Sequence, residues 1–228
     1  MRGRLRPSYG FTLIELLVAI AAMAIMAGLG WRGLDAMLRT RTQVQTYSEQ
    51  LQALQTGLAQ WNADLDALLP LPNTPALDWD GRALRLTRRN VNDSGILVVA
   101  WTRRAADAGL WLRWQSEPLR SRGDLQDAWL RAAQWAQNPS AADRQREVAV
   151  LPLAQWQLFY YRADAWTNPL SSANAETSAP TSKASAVGTP DPTLPDGVRL
   201  VLTLPERFAV SGSLTRDWAR LTTAGAKP

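Results

Sequence analysis

The feature that most constrains this chain is an apolar run near its start, Phe11 to Trp31, interrupted only by Thr12 and Glu15. About 20 such residues suffice to cross a bilayer as a helix. Ahead of the run lies a short basic leader, residues 1–10, which carries Arg2, Arg4 and Arg6 and ends in Gly10. A carboxylate inside an apolar span costs about 2.5–3.5 kcal/mol on insertion scales, so Glu15 needs a partner and marks function. A secretory signal would carry a small-residue cleavage site after its apolar stretch and be discarded whole. Ala19, Ala21 and Ala22 imitate such a site, yet the run continues past them. A discarded peptide has no use for Glu15.

Gly10 followed by Phe11-Thr12-Leu13-Ile14-Glu15 and an apolar helix resembles the class III signal of type IV pilins and pseudopilins. The resemblance implies that a prepilin peptidase cuts between Gly10 and Phe11 on the cytoplasmic side. It also implies methylation of the new amine, making Phe11 an N-methylphenylalanine. The helix 11–31 would stay on the mature chain as a single pass through the bacterial inner membrane. Cleavage would leave a positive amine at the head of an apolar helix, with the Glu15 carboxylate one turn further on. In a staggered stack of such helices, one subunit's amine meets its neighbour's Glu15, and each charge offsets the other's desolvation. A buried polar pair of this kind fixes register, as in helix bundles. A second reading leaves Glu15 at the cytoplasmic interface, where a carboxylate costs little. Ala24 and Gly28, with Ala27, Gly30 and Gly33 nearby, suit close helix approach. Ordinary membrane-helix composition reads the same way. The glycines also admit a bend between 28 and 33, since each weakens a helix by about 1 kcal/mol relative to Ala.

Beyond the span, residues 32–228 of the 228-residue chain are enough for one well-cored domain. There is no Cys and no His, which excludes disulfides, Cys/His zinc sites, Cys-His dyads and Ser-His-Asp triads. The net charge of +5 and pI of 10.2 come almost wholly from arginines scattered between acids and aromatics. Phosphate contacts need only positive groups, but this scatter reads as a solvated basic surface, so no nucleic-acid partner is expected. Arg32, Arg39 and Arg41 roughly balance the leader arginines, so orientation rests on the processing motif rather than on loop charge. Asp78-Trp79-Asp80-Gly81 superficially matches a calcium loop, yet two acids fall far short of a ligand set. The segment reads as a turn, and neither a metal nor a cofactor is expected. Asp64, Asp66, Asp78 and Asp80 supply carboxylates for a membrane-tethered hydrolase, but nothing selects a pair, and no catalytic residue is assigned. Of the 11 tryptophans, Trp101, Trp111 and Trp114 are either strand core or a partner surface. A rival of another class is an anchored carbohydrate-binding domain with exposed Trp platforms.

Val44, Tyr47, Leu51, Leu54, Leu58, Trp61, Leu65 and Leu68 recur at spacings of 3 and 4. That stripe predicts one long helix from Phe11 to about Leu69, closed by Pro70. Strands are predicted at 83–87, 96–102, 110–115, 148–151, 155–162, 198–204 and 213–220, with a hairpin turn at Asp107-Ala108-Gly109. A short helix is predicted over 127–136. A Ser/Thr/Ala/Pro-rich stretch, about 167–196, buries little apolar surface and reads as a mobile loop. The class is α+β, and the resemblance to pilins implies a pilin-like fold whose long N-terminal helix packs on an antiparallel sheet domain.

Several stretches in order resemble the J-type minor pseudopilins of the type II secretion system, within the type IV pilin-like superfamily. They are Arg32-Gly33-Leu34-Asp35, Leu65-Asp66-Ala67-Leu68-Leu69-Pro70, Leu86-Thr87-Arg88, Trp156-Gln157-Leu158-Phe159-Tyr160-Tyr161-Arg162 with Trp166, and Pro195-Asp196-Gly197-Val198-Arg199-Leu200. The resemblance implies a non-enzymatic periplasmic head at the tip of a pseudopilus, where it helps to initiate assembly and protein export. It implies as partners the I-type and K-type minor pseudopilins, the H-type and major pseudopilins, the prepilin peptidase, the inner membrane and the exported cargo. The alternative within the superfamily is a minor pilin of a type IV pilus or DNA-uptake system.

Overall fold

The computed structural model describes residues 11–72, 74–90, 95–105, 109–162, 164–171 and 194–220. The leader 1–10, Asp107 and Ala108 of the expected turn, and 172–193 of the Ser/Thr/Ala/Pro-rich stretch lie outside them. The chain divides into two compact units, 1–48 and 49–228. Helix α1, Leu13–Asp66, is uninterrupted, and it stays helical through Gly28, Gly30 and Gly33. The glycines, which admit a bend, do not interrupt the helix. In the first unit its side chains are exposed, Val44 and Tyr47 included. In the second unit Leu54, Trp61 and Leu65 are buried, with Leu51, Leu58 and Leu68 half-buried. The stripe read from spacing is therefore a packing face from Leu51 onward.

The helix ends at Asp66 rather than at Leu69, ahead of Pro70, because the chain is captured by a strand. Leu68 bridges Arg88, the Leu69 amide donates to Thr87 O at 3.0 Å, and the Arg89 amide donates to Ala67 O at 3.0 Å. Extended pairing thus displaces the last predicted turn.

Five antiparallel strands form the first sheet in chain order: β1 (Leu77–Trp79), β2 (Ala83–Arg89), β3 (Ile96–Arg104), β4 (Leu110–Gln115) and β5 (Glu147–Pro152). Between β4 and β5 lie helices α2 (Arg122–Gln137) and α3 (Ala141–Arg144). The second sheet contains β6 (Gln155–Arg162), β7 (Ala165–Thr167), β8 (Gly197–Leu204) and β9 (Gly212–Ala219), ordered β7-β6-β8-β9. The seven strands expected from sequence are present with ends shifted by at most a few residues. β1 and β7 are additions, each three residues long and too short to show an alternating pattern. Asp78 and Trp79 thus belong to β1, and the turn contracts to Asp80-Gly81. There Asp80 Oδ1 accepts from the amides of Arg82 and Ala83 at 2.9 and 2.8 Å, and Gly81 takes φ +87°. The stretch read as a loop over 167–196 is anchored at both described ends: Thr167 closes β7, and Leu194 is buried in the core.

Helix α2 starts five residues before its predicted start at Asp127. Ser121 Oγ accepts from the Asp124 amide at 3.1 Å, while the Asp124 carboxylate accepts from the Ser121 amide at 3.0 Å. This reciprocal capping box satisfies two amides that the first turn would leave orphaned. Ser140 and Asp143 repeat it at α3, which sequence reasoning missed.

β3 is buried on both faces, which explains its unbroken β-prone run. Val99 and Trp101 join a core shared with α1 and the second sheet, including Trp61, Trp111, Leu158, Leu200 and Leu202. Val98 and Ala100 face a second core, with Leu112, Trp114 and the α2 residues Leu125, Ala132 and Trp135. The three tryptophans in doubt, Trp101, Trp111 and Trp114, are core residues, so they form neither a partner surface nor a sugar platform.

Asp64 joins helix to sheet. Its side chain is 0% exposed and accepts hydrogen bonds from Gln60 Nε2 (2.9 Å), Trp101 Nε1 (2.9 Å), Arg113 Nε (2.7 Å), Arg113 Nη2 (2.9 Å) and Arg88 Nη1. Removing one partner of a buried ion pair strands the other, at a cost of about 3–5 kcal/mol. We expect Asp64→Asn to lower the unfolding free energy of the full chain by about that amount in urea denaturation. Asp66 accepts one bond from Trp218 Nε1 at 2.7 Å, and Asp66→Asn should cost no more than about 1.5–3 kcal/mol.

A second expectation concerns pH. Hydrogen bonds from the Ser121 hydroxyl and from the amides of Arg120 and Ser121 hold the Asp124 carboxyl below the ordinary 3.8. Its capping contribution is therefore present above pH 3.8 and lost as pH falls through the lowered value. Amide exchange over the first turn of α2 should rise in that acid window, and Ser121→Ala should weaken the dependence.

Candidate assembly site

Gly10 lies outside the described residues; Phe11 is 83% exposed and precedes the helix. Thr12 occupies the N-cap position and Glu15 the third helical position. The Thr12 amide and hydroxyl both donate to Glu15 Oε2, at 3.0 and 2.9 Å, and the Glu15 amide reaches Thr12 Oγ1 at 3.4 Å. This is a capping box, the pattern Thr-x-x-Glu. It was legible at Thr12-Leu13-Ile14-Glu15, but sequence reasoning considered only intermolecular and interfacial roles for the acid. Thr12 is therefore a site residue that the reading missed.

The box places a carboxylate against the positive end of the helix dipole, where an anion is favoured. Both Thr12 donors converge on Oε2, leaving Oε1 without a hydrogen bond from any described residue. The carboxylate thus has an intrachain partner and a spare acceptor oxygen. Its described bonds run to Thr12, not to Phe11. What this arrangement can do chemically is accept one further donor, such as an ammonium, without giving up its cap.

The surrounding helix supports that use. It is long and apolar enough to cross a membrane, and its most apolar window is wholly unburied within the chain. The 19 helical residues from Leu13 to Trp31 span about 28 Å, close to a hydrocarbon core of about 30 Å. Trp31, 74% exposed, lies at the far end, a level where interfacial aromatics are enriched. A Cβ built on Gly28, Gly30 or Gly33 meets nothing within 4 Å, so these positions leave bare backbone for a neighbouring helix.

The other candidate acids have structural partners. Asp64 binds Arg88 and Arg113, Asp66 binds Trp218, Asp78 pairs with Arg85, and Asp80 caps its own turn. Of the four, Asp78 and Asp80 converge on Arg85, the second at 3.7 Å, while Asp64 and Asp66 meet separate partners.

The profile of the prokaryotic N-terminal methylation motif matches residues 5–31, a motif typical of type IV pilin-like proteins. No curated protein matches the chain.

Glutamine also serves at the third position of a capping box, which separates the two properties of Glu15. In the full chain in detergent micelles, Glu15→Gln should keep the amide of Thr12 protected from exchange. Glu15→Ala should lose that protection, at a cost of about 1 kcal/mol to the first turn.

Proposed function

We propose that this chain is a minor pseudopilin of J type, a structural tip component of the type II secretion pseudopilus that helps to initiate assembly and protein export. The observation that carries the reading is the coincidence of the methylation motif over 5–31 with an acid at the third position of an exposed, bilayer-length apolar helix. The J-type assignment rests on the ordered sequence matches from Arg32 to Leu200. The α+β architecture, a long helix followed by antiparallel sheets, fits a pilin-like head.

In this reading a prepilin peptidase cuts between Gly10 and Phe11, and the Phe11 amine is methylated. The chain stays as a single pass in the inner membrane with its head in the periplasm. On assembly, the amine of one subunit meets the spare Oε1 of another's Glu15, while Thr12 retains Oε2. Pairing offsets two desolvation costs that neither charge meets alone, so only a correctly staggered neighbour is accepted. The I-type and K-type minor pseudopilins are the expected neighbours, with the H-type and major subunits below. The chain itself catalyses nothing.

Mass spectrometry of the mature N-terminus tests the processing step: in membranes containing a prepilin peptidase, the chain should begin at mono-methylated Phe11. A chain beginning at Met1, or after Ala19 or Ala22, overturns it. For assembly, Glu15→Gln and Glu15→Ala should both reduce co-purification with I-type and K-type subunits and reduce secretion, although only the second loses the cap. Normal secretion in both variants refutes the pairing role. Co-purification with pilus-assembly proteins instead would favour a minor pilin.

A further inference from the structure

Where the loop after α1 meets the starts of β3 and α2, the surface dips into a pocket of about 210 Å³. Its apolar lining comes from half-buried Leu71, Ile96 and Leu119 and from buried Leu125, all packed with the α2 core. The Leu119 amide donates to Ile96 O at 2.8 Å, so backbone pairing fixes one wall. Arg120 and Arg122 also line the pocket and are exposed, and it holds no acid among the described residues. Neither guanidinium pairs with a described residue. The acids close to them in sequence are engaged: Glu117 binds Arg146, and Asp124 accepts from the Ser121 and Arg120 amides. The cap of α2 is thus closed within the chain, and the charge on offer is that of two like cations.

These features select an occupant. The pocket is smaller than the roughly 300–1,000 Å³ of small-molecule sites, and it suits one apolar side chain. Such a side chain would remove the remaining open surface of Leu71, Ile96 and Leu119 from water, which favours insertion. Two unpaired cations of one sign call for acids beside it. In an extended segment, residues two apart share one face, so acids two positions before and after the apolar residue lie on the side that meets the pocket. We infer that this pocket binds an extended acidic segment of a partner polypeptide, its apolar side chain seated among Leu71, Ile96 and Leu119 and its carboxylates meeting Arg120 and Arg122. All these residues belong to the second unit. Neither processing at Gly10 nor Glu15 enters, so the inference and the assembly reading fail separately.

Ile96 is the one isoleucine outside the apolar run that holds Ile14, Ile20 and Ile25. Its δ-methyl signal is therefore a clean reporter, assigned by its loss in Ile96→Val. The probes are acetylated, amidated Glu-Gly-Leu-Gly-Glu, Lys-Gly-Leu-Gly-Lys and Glu-Gly-Gly-Gly-Glu, titrated into the isoleucine-methyl-labelled full chain in uncharged detergent micelles. The first should move the Ile96 signal saturably and leave those of Ile14, Ile20 and Ile25 in place. The lysine peptide should not move it, and the peptide without leucine should bind more weakly. Arg120→Gln and Arg122→Gln should each weaken the acidic leucine peptide by roughly twofold to fivefold, the upper part of the range for exposed ion pairs. An unmoved Ile96 signal overturns the inference. So does an equal response to either control peptide, or unchanged affinity in both arginine variants.

Discussion

The head depends on one carboxylate taken fully out of water. Asp64 receives donors from its own helix (Gln60), from β2 (Arg88), from β3 (Trp101) and from β4 (Arg113). A buried charge is tolerable only with partners and well-made hydrogen bonds, and here both oxygens are engaged. Two arginines against one acid leave the cluster net positive, so it is weak as a source of stability in itself. Its value is selection: α1 has only one rotation and one height at which Asp64 reaches all three strands. Sliding the helix by a turn would strand two guanidinium groups in the core. Gly57 belongs to the same constraint, because a Cβ there would lie 2.4 Å from Val150 on β5. The helix must approach the sheet closely for the carboxylate to reach.

With the helix so placed, the aromatic core follows. Trp61 on α1 meets Trp101 edge-on at 5.5 Å and Trp111 at 5.9 Å, and Trp156 from the second sheet closes the group at 6.5 Å. Such offset and edge contacts are the favoured arrangements of aromatic rings. On the opposite face of β3 the pattern recurs on a smaller scale. Glu147 accepts from both terminal guanidinium nitrogens of Arg104 and from the Trp135 indole at 2.7 Å, tying α2 to the sheet. In a chain without cysteine, charge clusters at the two helix–sheet junctions and large rings between them position the layers.

Sequence pattern carried much of this and missed a definable part. The Leu51–Leu68 stripe and the unbroken run at 96–102 were legible because burial on one helix face, or on both sheet faces, leaves a period. Strands of three residues leave none, so β1 and β7 were invisible. The end of α1 was misplaced because pairing of Leu68 with Arg88 is a long-range event that a nearby proline does not report. Asp64 was read as one of four interchangeable acids. Its difference from Asp66 lies in the face of the helix it occupies, and an apolar stripe does not disclose a buried charge within it. The capping boxes are another matter. Thr12-x-x-Glu15, Ser121-x-x-Asp124 and Ser140-x-x-Asp143 share one pattern that is legible in the sequence. The charge of Glu15 points outward to a partner as readily as inward to its own helix start, and only the spacing to Thr12 tells of the second role.

Glu15 and Asp64 are acids on one helix, and they meet the demand for hydrogen-bond donors differently. Asp64 is saturated: every lone pair it can direct inward has a donor from the same chain, so it accepts nothing more and belongs to folding. Glu15 is half-satisfied. Thr12 holds one oxygen well enough for the helix to begin there, and the other remains without a described donor. A group that is tolerable alone but better with one more donor does not fix a fold; it leaves an oxygen open for the contact proposed above. The cap also orients that contact, because Oε2 is held at the helix start and Oε1 must then point away from Thr12. The capping box and the proposed intermolecular pair are therefore compatible roles of one side chain, the first setting the direction from which the second can arrive.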